Sequence, residues 1–141
     1  LIENDVFSYL SGLQILELNS NNLNKISNFL FSYLNKLEHL DLSNNKITII
    51  ENRAFENLIN LKNISLRFNQ IKYFDHILFM NLINLKHLEL SNNQLSKIDK
   101  KSFRNLTRLQ ILNLNDNCLF KLEIDLFDSN ILINNLNLAK N

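Results

Sequence analysis

The stretch Leu85 to Leu95, LKHLELSNNQL, decides the fold, because its apolar residues and its second asparagine recur at one fixed interval along the chain. Counting from Leu85, equivalent residues fall at Leu109 and Ile133 downstream and at Leu61, Leu37 and Leu13 upstream, a step of 24 residues each time. The fourth position of the unit reads Leu16, Leu40, Ile64, Leu88, Leu112, Leu136, and the sixth reads Leu18, Leu42, Leu66, Leu90, Leu114, Leu138. Neither column admits a polar residue. The ninth is Asn21, Asn45, Asn69, Asn93, Asn117 and Asn141, an asparagine in every unit. A fixed period of this length indicates a solenoid of stacked units.

The second half of the unit is as regular. After the asparagine come Leu23, Ile47, Ile71, Leu95, Leu119, then Ile26, Ile50, Phe74, Ile98, Leu122, then Phe31, Phe55, Phe79, Phe103, Phe127. The last column is Leu34, Leu58, Leu82, Leu106, broken by Asn130. The pattern LxxLxLxxNxL resembles the signature of leucine-rich repeats. A 24-residue unit with a late phenylalanine is similar to the subclass found in Toll-like receptors and small leucine-rich proteoglycans. That resemblance implies an α/β solenoid, a right-handed superhelix shaped like a horseshoe, with one strand per repeat in a concave parallel β-sheet. Loops or short helical turns are expected on the convex side. We divide residues 1–141, a single domain, into a partial repeat 1–12, repeats 13–36, 37–60, 61–84, 85–108 and 109–132, and a partial repeat 133–141. Beginning and ending inside a repeat, the chain reads as a piece of a longer solenoid, with end-to-end self-association through uncapped repeats expected.

Residue chemistry supports the same shape. In LxxLxL the leucines alternate with polar residues, which is the pattern of a strand with one buried face. The only glycine is Gly12 and there is no proline, so the turns must rely on Asn and Asp, which tolerate left-handed backbone. An inward-facing amide offers both donors and an acceptor to the loop leaving the strand. Asn21, Asn45, Asn69, Asn93 and Asn117 are therefore read as a structural ladder, and the five phenylalanines as a stacked spine. The excess of Asn, Lys and Ile is read as an AT-rich coding bias, without physical role.

Composition narrows the functional classes. At 45% hydrophobic and a formal net charge of +1, the 141 residues suit one continuous core, and nucleic acid is not expected as a partner because phosphate binding needs clustered basic charge. No apolar run approaches the roughly 18 residues of a membrane span, so no membrane contact is expected from this stretch. Cys118 is the only cysteine and reads as a part-buried apolar filler.

With the structural columns removed, positions two, three, five, seven and eight remain as a variable surface pointing out of the sheet. The candidate partner-binding residues on this face are His39, Asp41, Ser65, Arg67, Phe68, His87, Glu89 and Asn113. Arg67-Phe68 stands out, since other units carry mainly Asn, Ser or Asp there and interface hot spots are enriched in arginine and aromatics. His39 and His87 lie two strands apart, on the order of 10 Å, too far to share a zinc ion at about 2 Å from each nitrogen. No nucleophile accompanies them, so no catalytic, metal or cofactor site is expected. Of the two sequons, Asn63-Ile64-Ser65 falls on the concave sheet, where a glycan would block binding, and Asn105-Leu106-Thr107 is the candidate N-glycosylation site. Position thirteen, Lys25, Ile49, Tyr73, Lys97, Lys121, gives one flank a basic tint. The sequence thus points to a non-enzymatic module that recognises a protein, in an extracellular or cell-surface receptor or adhesion protein. A structural matrix or scaffold protein and an intracellular regulator are the alternatives.

Overall fold

The computed structural model describes residues 2–141. Its main feature is a six-stranded parallel sheet. The strands are β1 (Ile15–Glu17), β3 (His39–Asp41), β5 (Asn63–Ser65), β6 (His87–Glu89), β7 (Ile111–Asn113) and β8 (Asn135–Asn137), paired in that order. Every pairing has the same register of 24 residues, for example Leu16 beside Leu40 and Leu40 beside Ile64. Equivalent side chains therefore stand side by side, which is why each column must hold one chemical type. The leucines of positions one, four and six of the central units are buried, and with the later apolar columns they form one continuous core.

A second sheet, not expected from one strand per repeat, pairs β2 (Lys25–Ile26) with β4 (Ile49–Ile50). Three of its four residues are β-branched isoleucines, which suit extended backbone. The next unit has Tyr73-Phe74 at these positions, and no strand forms there.

Among the described residues there is no helix, so the convex side is the loop alternative. It consists of tandem turns in which an N–H bonds the carbonyl three residues back. Ala54, Glu56, Leu58 and Leu61 donate in this way to Glu51, Arg53, Phe55 and Leu58, at 2.9, 3.1, 3.1 and 3.0 Å. No described helix is long and apolar enough to cross a membrane.

Two ladders lock adjacent coils. Asn69 is buried, and its Nδ2 donates to the carbonyls of Leu42 (3.0 Å), Leu66 (3.0 Å) and Arg67 (3.3 Å), while its Oδ1 accepts from the Ile47 N–H (2.9 Å). Asn45, Asn93 and Asn117 repeat this arrangement. A further ladder runs along the convex turns, where Asn57, Asn81 and Asn105 donate to Ser32, Glu56 and Met80 carbonyls at 2.9, 3.1 and 3.0 Å. Asn60 and Asn84 do the same toward Asn35 and Ile59. The asparagine excess thus has a physical use, against the reading of it as coding bias: exposed turns need carbonyl partners that reach across to the next coil.

The phenylalanine spine stacks at 6.2 Å from Phe7 through Phe31 and Phe55 to Phe79, and again between Phe103 and Phe127. It is not the uninterrupted column of five expected. Phe74, standing where other units have Ile or Leu, meets Phe79 edge-on at 5.1 Å and Phe103 at 6.5 Å, and so bridges the two parts. Strands are spaced about 4.8 Å apart, so the ring side of each coil is wider than the strand side. The stack must curve with the sheet inside.

Candidate functional site: the concave sheet

Columns three and five of the unit emerge on the inner face. Register sets His39 beside Asn63 and Asn63 beside His87; two positions on, Asp41, Ser65, Glu89 and Asn113 form a row across four neighbouring strands. Six of the eight candidate residues, His39, Asp41, Ser65, His87, Glu89 and Asn113, thus share one face, while Arg67 and Phe68 follow the end of β5; a shallow depression of about 270 Å³ is lined by His39, Asp41, Asn63, Ser65, His87 and Glu89 together with Ile15 and Glu17. No group of three or more His, Cys, Asp or Glu among the described residues is placed to hold a metal ion.

The polar groups are tied to one another. Asn63 Nδ2 donates to His39 Nδ1 at 2.8 Å, which fixes that ring nitrogen as an acceptor. Glu89 Oε2 accepts from Asn113 Nδ2 at 3.1 Å and from Ser91 Oγ at 3.4 Å. Partial burial raises the Glu89 carboxyl above the usual glutamate value of 4.5, against the opposing pull of those hydrogen bonds and of the Arg67 and His87 charges.

Positions seven and eight behave differently from the freely pointing surface expected of them. Ser43 and Ser91 in column seven are buried, whereas Arg67 in the same column is exposed. Column eight is a backbone feature: Ser20, Asn44, Phe68, Asn92, Asp116 and Lys140 all have φ between 52° and 57°. This is the left-handed region, which Asn and Asp tolerate and bulkier residues resist. Phe68 occupies it with 47% of its surface exposed, and the Arg67 guanidinium lies over its ring at 5.8 Å. The conformational demand on this position is invisible in a column reading Ser, Asn, Phe, Asn, Asp, Lys.

Outside this face, Asn105 is exposed and its Nδ2, the atom a glycan would join, is the one that donates to the Met80 carbonyl. Cys118 is exposed rather than part-buried, because position ten faces away from the core just past the inward asparagine.

No curated protein sequence matches the chain. Among solved structures it is similar to TLR13 in the TLR13–ssRNA13 complex, with 32% identity and a TM-score of 0.79 over 97% of this chain and 23% of that one. It is also similar to Toll in the Drosophila Toll–Spatzle complex, with 28% identity and a TM-score of 0.89 over 97% of this chain and 20% of that one. The chain therefore spans less than a quarter of the length of either structure. The leucine rich repeat family model matches residues 11–71 and 59–119, which together take in most of the sequence. By those matched units, as by its registered strands and asparagine ladder, the chain belongs to the leucine-rich repeat family.

Proposed function

We propose that the chain is a non-enzymatic recognition module that binds a protein ligand through its concave sheet, as part of an extracellular or cell-surface receptor. The observation that carries this reading is Phe68. A half-exposed phenylalanine in left-handed backbone is costly to the fold, and residues held in that way cluster where a surface is used. With the Arg67 guanidinium over its ring, it follows closely on β5 of the sheet whose inner face carries His39, Asp41, Ser65, His87, Glu89 and Asn113, and partners are anchored through a few aromatic and arginine side chains. The Toll–Spatzle complex supplies a relative with a protein partner.

The ssRNA in the TLR13 complex means that net charge alone does not dismiss nucleic acid. Columns three and five nonetheless hold Glu17, Asp41 and Glu89 and no lysine or arginine, a poor match for phosphates, and this favours a protein ligand.

The test is a selection of displayed protein fragments on the immobilised chain. Selected ligands should bind the Arg67→Ala/Phe68→Ala variant at least about tenfold more weakly, with circular dichroism unchanged, and should be indifferent to Arg53→Ala on the convex turns. Ligands sensitive only to the convex change would overturn the reading.

A further inference from the structure

We propose that the concave depression receives a lysine or arginine side chain of the protein partner, seated over Ser65 between the carboxylates of Asp41 and Glu89. The inference rests on the concave face being the recognition face and adds the chemistry of what that face takes.

Ser65 is the smallest side chain in its column, and register places Asp41 on the strand to one side and Glu89 on the strand to the other. With strands about 4.8 Å apart, the two carboxylates flank a gap of about 10 Å that Ser65 leaves open. This gap forms part of the depression of about 270 Å³.

The groups around it accept hydrogen bonds. Asp41 uses Oδ1 for the Ser43 N–H, and Glu89 uses Oε2 for Asn113 and Ser91, so each keeps an oxygen without a partner among the described residues. A ligand that matches must donate and carry positive charge. Ammonium and guanidinium groups do both and accept nothing.

Of the chain's own cations, Lys62 is paired with Glu38 at 2.6 Å, and the Arg67 guanidinium lies over the Phe68 ring, acting on Glu89 through its charge but forming no ion pair with it. A bare calcium ion is the wrong size for the gap, because it needs six to eight oxygens at about 2.3–2.6 Å. A cation on a long apolar stem fits better, since such stems lie along apolar surface. Ile15, 59% exposed, supplies that surface at one end of the depression.

The experiment uses fluorescein-labelled octalysine, with octaglutamate as control, and fluorescence anisotropy on the 141-residue chain. Octalysine should bind and octaglutamate should not. Asp41→Asn/Glu89→Gln should weaken octalysine about tenfold or more. Ser65→Leu, which fills the gap without changing charge, should weaken it comparably, while Glu51→Gln/Asp125→Asn, outside the sheet, should change it by less than about twofold. Octalysine binding unmoved by both concave variants, or weakened equally by the outside pair, overturns the proposal. The ligands obtained by selection separate the two readings. If they depend on Arg67 and Phe68 but ignore Asp41→Asn/Glu89→Gln, the concave face stands and the cation seat falls; if they ignore all four residues, both fall.

Discussion

The guanidinium of Arg67 lies 5.8 Å from the centre of the Phe68 ring, while the Phe68 backbone stands at φ 53°. A contact worth about 0.5–1 kcal/mol at an exposed site is thus made by a residue whose backbone conformation costs about 1–2 kcal/mol. Stability and recognition should then separate at this position. Phe68→Asn, which adopts the identity found at Asn44 and Asn92 in the same column, should raise stability by about 1 kcal/mol and weaken selected ligands. Chemical denaturation and anisotropy on one preparation check both halves. A variant less stable than the parent would show that the ring supports the fold.

Removal of the ladder amide should act in the opposite direction. Asn69→Ala deprives the buried Ile47 N–H of its only acceptor and takes one donor from the Leu42 and Leu66 carbonyls, each of which keeps a second from Asn45 or Asn93. The loss should be about 3 kcal/mol, most of it from the unpaired N–H. Asn21, exposed and bonded only to the Leu18 and Asn19 carbonyls, should lose about 1 kcal/mol or less on the same change. Equal losses in urea denaturation would contradict a ladder that works between coils.

Asn130 is the break in a leucine column. It is 4% exposed and donates to the Phe103 and Leu106 carbonyls, but its Oδ1 is buried without a partner. Both carbonyls also accept from backbone N–H groups of Leu106 and Leu109. Asn130→Leu should therefore stabilise by about 1–2 kcal/mol, the gain in apolar burial and the relieved acceptor outweighing two modest bonds. A fall in melting temperature would mean that those side-chain bonds close the turn.

Glu89 gives the pH test its sign. Its carboxyl titrates above 4.5 in the fold, so the native state holds the proton more firmly than the unfolded chain, and stability rises as pH falls from the raised value toward 4.5. Glu89→Gln should flatten that segment of a melting-temperature profile and lift the melting temperature slightly at pH 7. The effect is small because the group is only partly buried and solvent screens it. Glu38, Glu51 and Asp125 run the other way: hydrogen bonds from Lys62, Lys25 and Lys100 lower them, so their contribution is present at neutral pH and is lost on acidification below the ordinary carboxylate range. A shallower loss of melting temperature on acidification toward pH 4.5 in the Glu89→Gln profile than in the parent would contradict this assignment.

The coil was legible in the sequence because a parallel stack sets each residue beside its equivalent 24 positions away, so packing writes itself as columns. Leu40, Ile64 and Leu88 need no other information. The second amide ladder was equally available, since Asn57, Asn81 and Asn105 form a column of their own. What the columns hid was backbone. Ser20, Phe68 and Lys140 do not advertise a left-handed conformation, and only the shared geometry of column eight reveals that Phe68 is held against its preference. Burial of Ser43 and Ser91 beside exposed Arg67 was hidden for a related reason: small hydroxyls fit either side of a turn, and the local bonds decide.

The mismatch between rings at 6.2 Å and strands at about 4.8 Å gives each coil a taper of about 1.4 Å, and the two faces resist deformation unequally. The inner face is tied by a continuous ladder of backbone hydrogen bonds, whereas the outer side is joined by single asparagine side-chain bonds and by rings that touch through dispersion and can slide. Pulled apart at its two ends, the horseshoe should open like a leaf spring, the aromatic edge yielding first while the sheet keeps its length. Its rest curvature is then set by ring thickness, and Phe74, wedged between Phe79 and Phe103, marks where the spring rate changes along the arc.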